Sequence, residues 1–129
     1  MGQQQLLLII LGVIIVGIAI AVGLSMFTAQ SVGANRDAII ADITNLAANA
    51  YQYRIRPTSM GGGGGAYTGY GIPSSLQSNE NGAYTISTAG NSTSIGFQGV
   101  SAQGYGTVTG TYGSDGKLSG NFSFGGDFQ

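Results

Sequence analysis

The sequence predicts an α+β fold: one long N-terminal helix packed on a small C-terminal antiparallel β-meander of about four strands. Three observations carry this. Leu6 to Phe27 is apolar and holds no charged side chain. Residues 36–55 place apolar side chains at helical spacing. Beyond Arg56 the composition turns to Gly, Ser, Thr, Asn and Tyr, in short alternating segments separated by turn signals. The expected layout is residues 1–56 as helix, with an apolar half (1–28) and an amphipathic half (29–56). A Gly-rich connecting loop (57–82) and a β domain (83–129) follow.

The opening stretch, "MGQQQLLLIILGVIIVGIAIAVGLSMF", is long enough to cross a hydrocarbon core as a helix. Its apolar surface comprises Leu6, Leu7, Leu8, Ile9, Ile10, Leu11, Val13, Ile14, Ile15, Val16, Ile18, Ile20, Val22, Leu24 and Phe27. Gly12, Gly17 and Gly23 would permit close backbone approach but form no GxxxG pair. A cleaved signal peptide needs a basic start, an apolar core of roughly 7–15 residues and a small-residue cleavage site. "MGQQQ" has no Lys or Arg, the apolar run is too long, and "MFTAQS" is a poor cleavage site. The segment is therefore expected to be retained.

No Pro or Gly-rich break follows until Pro57. In "RDAIIADITNLAANAYQYRI", Ile39, Ile43, Leu46 and Ala50 recur at helical steps, with Ile40, Ala47 and Tyr51 beside them. Arg54 and Arg56 suit the negative end of the helix dipole, and Pro57 stops the helix. One helix from about residue 3 to 54 would be about 80 Å long, with Gly33 its weakest point in the second half, at about 1 kcal/mol relative to Ala. A helix apolar all round must be surrounded by lipid or by other helices.

Gly61 to Gly65 cannot form a regular element, because ordering them costs too much backbone entropy. They read as a flexible connector, with Tyr67 and Tyr70 pinned; the other reading is a loop laid tightly on a neighbour. Strands are expected over "AYTISTA", "TSIGFQGV", "GYGTVTGTYG" and "KLSGNFSFGG", with Asp115–Gly116 as a tight hairpin turn. The apolar sheet face is Tyr84, Ile86, Ile95, Phe97, Val108, Leu118, Phe122 and Phe124. So small a sheet needs a partner surface, and the stripe Ile39–Ile43–Leu46–Ala50 supplies one.

Charged residues make up 7% of the chain, against roughly 25% in ordinary soluble domains. A basic nucleic-acid footprint is absent, so no nucleic-acid partner is expected. The chain has no His and no Cys, which removes thiol nucleophiles, imidazole bases and the usual zinc ligands. Asp37 and Asp42 lie five apart, off a common helix face, and read as solvated charges. Asp115 reads as a turn residue rather than a calcium ligand. No phosphate loop or dinucleotide fingerprint occurs. The expectation is a non-enzyme with no catalytic residue, metal or cofactor. Asn91 ("NST") and Asn121 ("NFS") match the N-glycosylation pattern.

In layout the chain resembles type IV pilin-like proteins. The resemblance rests on "QQQLLLIILGVIIVGIAIAVGLSMF" as apolar half-helix, "NRDAIIADITNLAANAYQYRI" as its amphipathic continuation, and the C-terminal antiparallel sheet. It implies an exported subunit that waits in the inner membrane and then enters an extracellular helical filament. There the apolar helices would form the core and the β domains the outside. Implied partners are copies of itself, the inner membrane, an assembly ATPase with its platform, and a prepilin peptidase. Implied assembly residues are Met1, Gln3, Gln4 and Gln5.

Two departures stand out. If Met1 is the first mature residue, Gln5 occupies the place where the family carries a glutamate. A buried ammonium without a partner is costly. The terminus is therefore expected to be capped, or satisfied by the Gln3–Gln5 amides. The apolar half also lacks the helix-breaking Pro common in the family, so an unbroken helix is expected. Rival readings are a minor pseudopilin of a secretion or uptake machine, and a non-polymerising membrane-anchored adhesin.

Overall fold

A computed structural model describes residues 2–129. The elements are helix α1 (Gly2–Ile55), two single-turn 3-10 helices (Thr58–Met60, Ser74–Leu76), and strands β1 (Gly82–Thr88), β2 (Ile95–Ser101), β3 (Gly106–Tyr112) and β4 (Ser123–Gly126). The fold is α+β, with a four-stranded antiparallel sheet in the order β1-β2-β3-β4. The chain divides into two compact units, Met1–Gly33 and Ala34–Gln129.

The first unit is helix throughout its described residues. No interruption occurs between Gly12 and Gly23. Thr28 returns its hydroxyl hydrogen to the Leu24 carbonyl (3.0 Å), which satisfies it without an outside partner.

The second unit, the head, packs the last turns of α1 on the sheet. Ile39, Ile43, Leu46, Ala47 and Ala50 are buried, as the helical period requires. Facing them are residues on one face of the first three strands: Tyr84 from β1, Ile95 and Phe97 from β2, and Val108 and Tyr112 from β3. Gly99 continues this face in β2. A Cβ there would lie 2.5 Å from Ile39 Cγ2, so the missing side chain is what lets helix and sheet approach. Phe97 is fully buried and meets Tyr70 and Tyr112 edge-on, each at 6.1 Å between ring centres.

The outer sheet face is uncharged and mostly polar, with Ala83 and Val100 exposed among its hydroxyls and amides. One register row runs Thr85–Gln98–Thr109–Ser123 across all four strands. The free edge of β1 is covered at its start: Tyr84 donates its backbone N–H to Gln77 O (2.7 Å), and Ser78 bridges Ala83.

Three features differ from the sequence expectation. The fourth strand is short. Gly116 takes positive φ (78°) in the expected turn, and Tyr112 bridges Leu118. The chain then bulges, with Gly120 at φ 84°, before Ser123 pairs with Thr109. Leu118 and Phe122 thus lie over Gly110 on the inner face but remain half-buried, as does Phe124 opposite Val108. Ile86 is also half-buried, at the point where the β1–β2 register slips.

The glycine run is a folded cap rather than a flexible connector. Gly63, Gly64 and Gly65 donate their N–H groups to the carbonyls of Tyr53 (2.8 Å), Arg56 (3.0 Å) and Arg54 (2.6 Å) at the end of α1. Tyr53 and Arg54 lie in the last turn of α1, where carbonyls lack the helical partner four residues on. A Cβ on Gly63 would fall 1.9 Å from the Ala66 carbonyl oxygen. Tyr67, beyond the run, is buried and donates its hydroxyl to Gly113 O (2.7 Å), while Arg54 lies over its ring at 5.6 Å.

Asp42 is the third difference. It is a docking point rather than a solvated charge. Its Oδ2 accepts from Tyr84 Oη, from Asn79 Nδ2 (2.9 Å) and from Asn81 Nδ2 (3.1 Å). Burial alone would raise its pKa, but these bonds outweigh that and hold the carboxyl below its ordinary value.

Candidate functional site

The most distinctive surface belongs to the first unit. Every large apolar side chain from Leu6 to Phe27 is more than half exposed, from 53% at Leu11, Ile14 and Val22 to 70% at Phe27. They cover all sides of the helix, because an uninterrupted run of apolar residues at 100° per residue leaves no polar face. Gly12, Gly17 and Gly23 lie open, with nothing within 4 Å of an added Cβ. Gln3, Gln4 and Gln5 are exposed at the start of the helix, and Met1 lies outside the described residues. Soluble monomers rarely expose a contiguous apolar patch beyond a few hundred Å². The surface is long and apolar enough to cross a membrane.

The head uses its polar groups internally. Asn35, buried where α1 enters the head, donates to Asn81 O and Gln103 Oε1 (both 3.1 Å) and accepts from Ser101 Oγ (2.6 Å). Tyr70 donates to Asn49 Oδ1 (2.6 Å), and burial pushes its phenol up to about 12. Burial, and then the Asp42 carboxylate it donates to, raise the Tyr84 phenol as well. Asn35, Asp42, Asn79 and Asn81 form a network the sequence reading missed. Asn35 sits one turn before Ile39 on the same stripe, and that position was its only signal.

A small cleft of about 70 Å³ lies beside Asp42, lined by Asn45, Ser75 and Leu76 among others. Among the described residues, no group of three or more acidic, His or Cys side chains could hold a metal ion. Arg36 lies 5.5 Å from the Phe124 ring centre and 3.7 Å from the exposed Asp37 carboxylate, a pair worth little in water. The residues singled out from sequence thus fall into separate groups: the exposed apolar surface of residues 6–27, the closed interior of the head, and the exposed Asn91 and Asn121.

No family model, curated protein or solved structure matches the chain.

Proposed function

We propose that the chain is a structural subunit that polymerises into a pilus-like filament, with the Leu6–Phe27 surfaces of many copies forming the core and the heads the outside. One observation carries the reading. An all-round apolar helix and a head that closes its own core belong to the same chain. A one-copy anchor needs only the first of these to sit in lipid. The same helix runs on, amphipathic, into the head, so each copy carries its apolar segment and part of its head core on one element. The layout resembles type IV pilin-like subunits.

The energetics suit storage in a membrane followed by assembly. Moving one of these side chains from water into an apolar setting is worth about 1.5–3 kcal/mol. Moving it from lipid tails into a helix bundle gains almost none of that, so close packing must supply the difference. Gly12, Gly17 and Gly23 are open positions for such packing. Extraction from the membrane would need outside work, which in the resembled family an assembly ATPase and platform provide. Export and processing by a prepilin peptidase belong to the same reading.

Electron microscopy of material sheared from the producing cells, with peptide mass spectrometry on the same sample, tests this. Filaments composed of this chain support it. Protein found only as detergent-soluble monomer in the membrane fraction would overturn it in favour of an anchored surface protein.

A further inference from the structure

We propose that Asn91 is a site of N-linked glycosylation and that Asn121 is not, although both sit in matching tripeptides. The two differ in backbone setting. Asn91–Ser92–Thr93 forms the exposed turn between β1 and β2. Asn91 Oδ1 accepts from Thr93 N (2.8 Å), Thr93 Oγ1 (3.1 Å) and Ser94 N (2.8 Å), an Asx turn. These bonds fix the carboxamide through its oxygen. None of them uses Nδ2, the atom that would carry the sugar. They also set the Thr93 hydroxyl against the acceptor amide, which an extended tripeptide does not do. The turn itself is held from below. Asn91 O accepts from Tyr67 N (2.9 Å), and Asn91 N donates to Ser94 O (2.9 Å).

Asn121–Phe122–Ser123 is held differently. Phe122 lies against Gly110 on the inner sheet face, and Ser123 is paired with Thr109 in β4. Reaching Asn121 in a turn geometry would require peeling β4 from the sheet. Ser123 is the first residue of the four-residue β4, so its backbone is extended rather than turned.

The chemistry is a substitution at an activated sugar. The Asn91 Nδ2–C1 bond forms as the bond between C1 and the phosphate oxygen of a lipid-linked sugar phosphate breaks. The phosphate leaves with the bonding electrons, and one Nδ2 proton passes to base. No oxidant or reductant is involved.

Position favours this turn too. The β1–β2 turn lies at the end of the sheet opposite Ser101, the residue that meets Asn35 where α1 enters the head. A sugar there stays clear of that entry. It also adds hydration to a head whose outer sheet face carries no charge.

The test separates the two sites cleanly. Trypsin cuts after Arg54 and Lys117, while the Arg56–Pro57 bond resists, so Asn91 falls on peptide 55–117 and Asn121 on 118–129. Native protein from the producing cells should show glycan mass on 55–117, assigned to Asn91 by fragmentation, with 118–129 unmodified. Asn91→Gln and Thr93→Val should abolish that mass, and Thr93→Ser should keep it. Unmodified peptides, glycan on Asn121, or sugar on Ser or Thr in place of Asn91 would each overturn the proposal. The result is independent of polymerisation: a glycosylated chain that forms no filament supports this site and sinks the filament reading.

Discussion

Tyr84 of β1 donates its hydroxyl hydrogen to Asp42 of α1, and this bond joins the edge strand to the helix that the sheet covers. Asn79 and Asn81, in the loop before β1, add their amides to the same carboxylate oxygen. Three donors converge on one acceptor, so the acceptor is the sensitive partner. Asp42→Ala is expected to destabilise the head by about 1–3 kcal/mol, since it strands a buried phenol. Tyr84→Phe, which leaves the two amides in place, should cost about 0.5–1.5 kcal/mol. Thermal melts of the full chain in detergent, followed by tyrosine near-ultraviolet circular dichroism, measure both.

The same site sets the response to acid. The folded pKa of Asp42 is depressed below its ordinary 3.8. Its contribution is therefore complete above the unfolded value and fades as pH falls through the folded one. Melting temperature should drop below about pH 4. In Asp42→Asn the drop should be shallower, and an unchanged slope would refute the assignment.

At the alkaline end the sign reverses. Tyr70 has a folded pKa raised from 10.0 to about 12, so its contribution is present below the unfolded value and lost as pH rises toward the folded one. Ultraviolet titration of phenolate should show tyrosines that ionise only as the head unfolds. Tyr70→Phe should remove one of them from that late phase.

Gly99 and Gly63 test packing at two close approaches. Gly99→Ala pushes a methyl against Ile39 and the Tyr84 ring, and is expected to cost about 1–3 kcal/mol. Gly63→Ala collides with the Ala66 carbonyl and should undo the cap on α1. By contrast, Gly33→Ala meets open space and should gain up to about 1 kcal/mol of helix stability.

A charge in the apolar surface tests the filament reading directly. Ile14→Asp lies far along the chain from the head and should leave its melting curve unchanged. Membrane insertion should weaken by about 2.5–3.5 kcal/mol, and sheared filaments should disappear. Filaments in normal yield from this variant would contradict a core built from these side chains.

The sequence made the α+β class legible because each element announces its own period. Ile39, Ile43, Leu46 and Ala50 repeat as a helix face, and Tyr84, Ile95, Phe97 and Val108 alternate as strands do. These positions are buried in the head. What stayed hidden depends on distant partners. Asp42 looks solvated until Asn79 and Tyr84 arrive from beyond position 57. The five glycines look slack because a run without side chains shows nothing of the carbonyls it will cap. Phe128, buried after the last strand, follows two glycines near the end of the chain and carries no periodic signal. The β4 bulge escaped for a related reason: an alternating pattern specifies faces, not where a strand gains extra residues.

Arg36 is the first ionisable side chain along the described helix, and everything from residue 2 to residue 35 lacks a group that titrates. A polymer lined by that surface would have no titrating side chain in its interior. Acid and alkali would then meet titrating side chains only in the coat. Under such stress the coat would loosen while the rod beneath kept its length, leaving bare strands where decorated ones had stood.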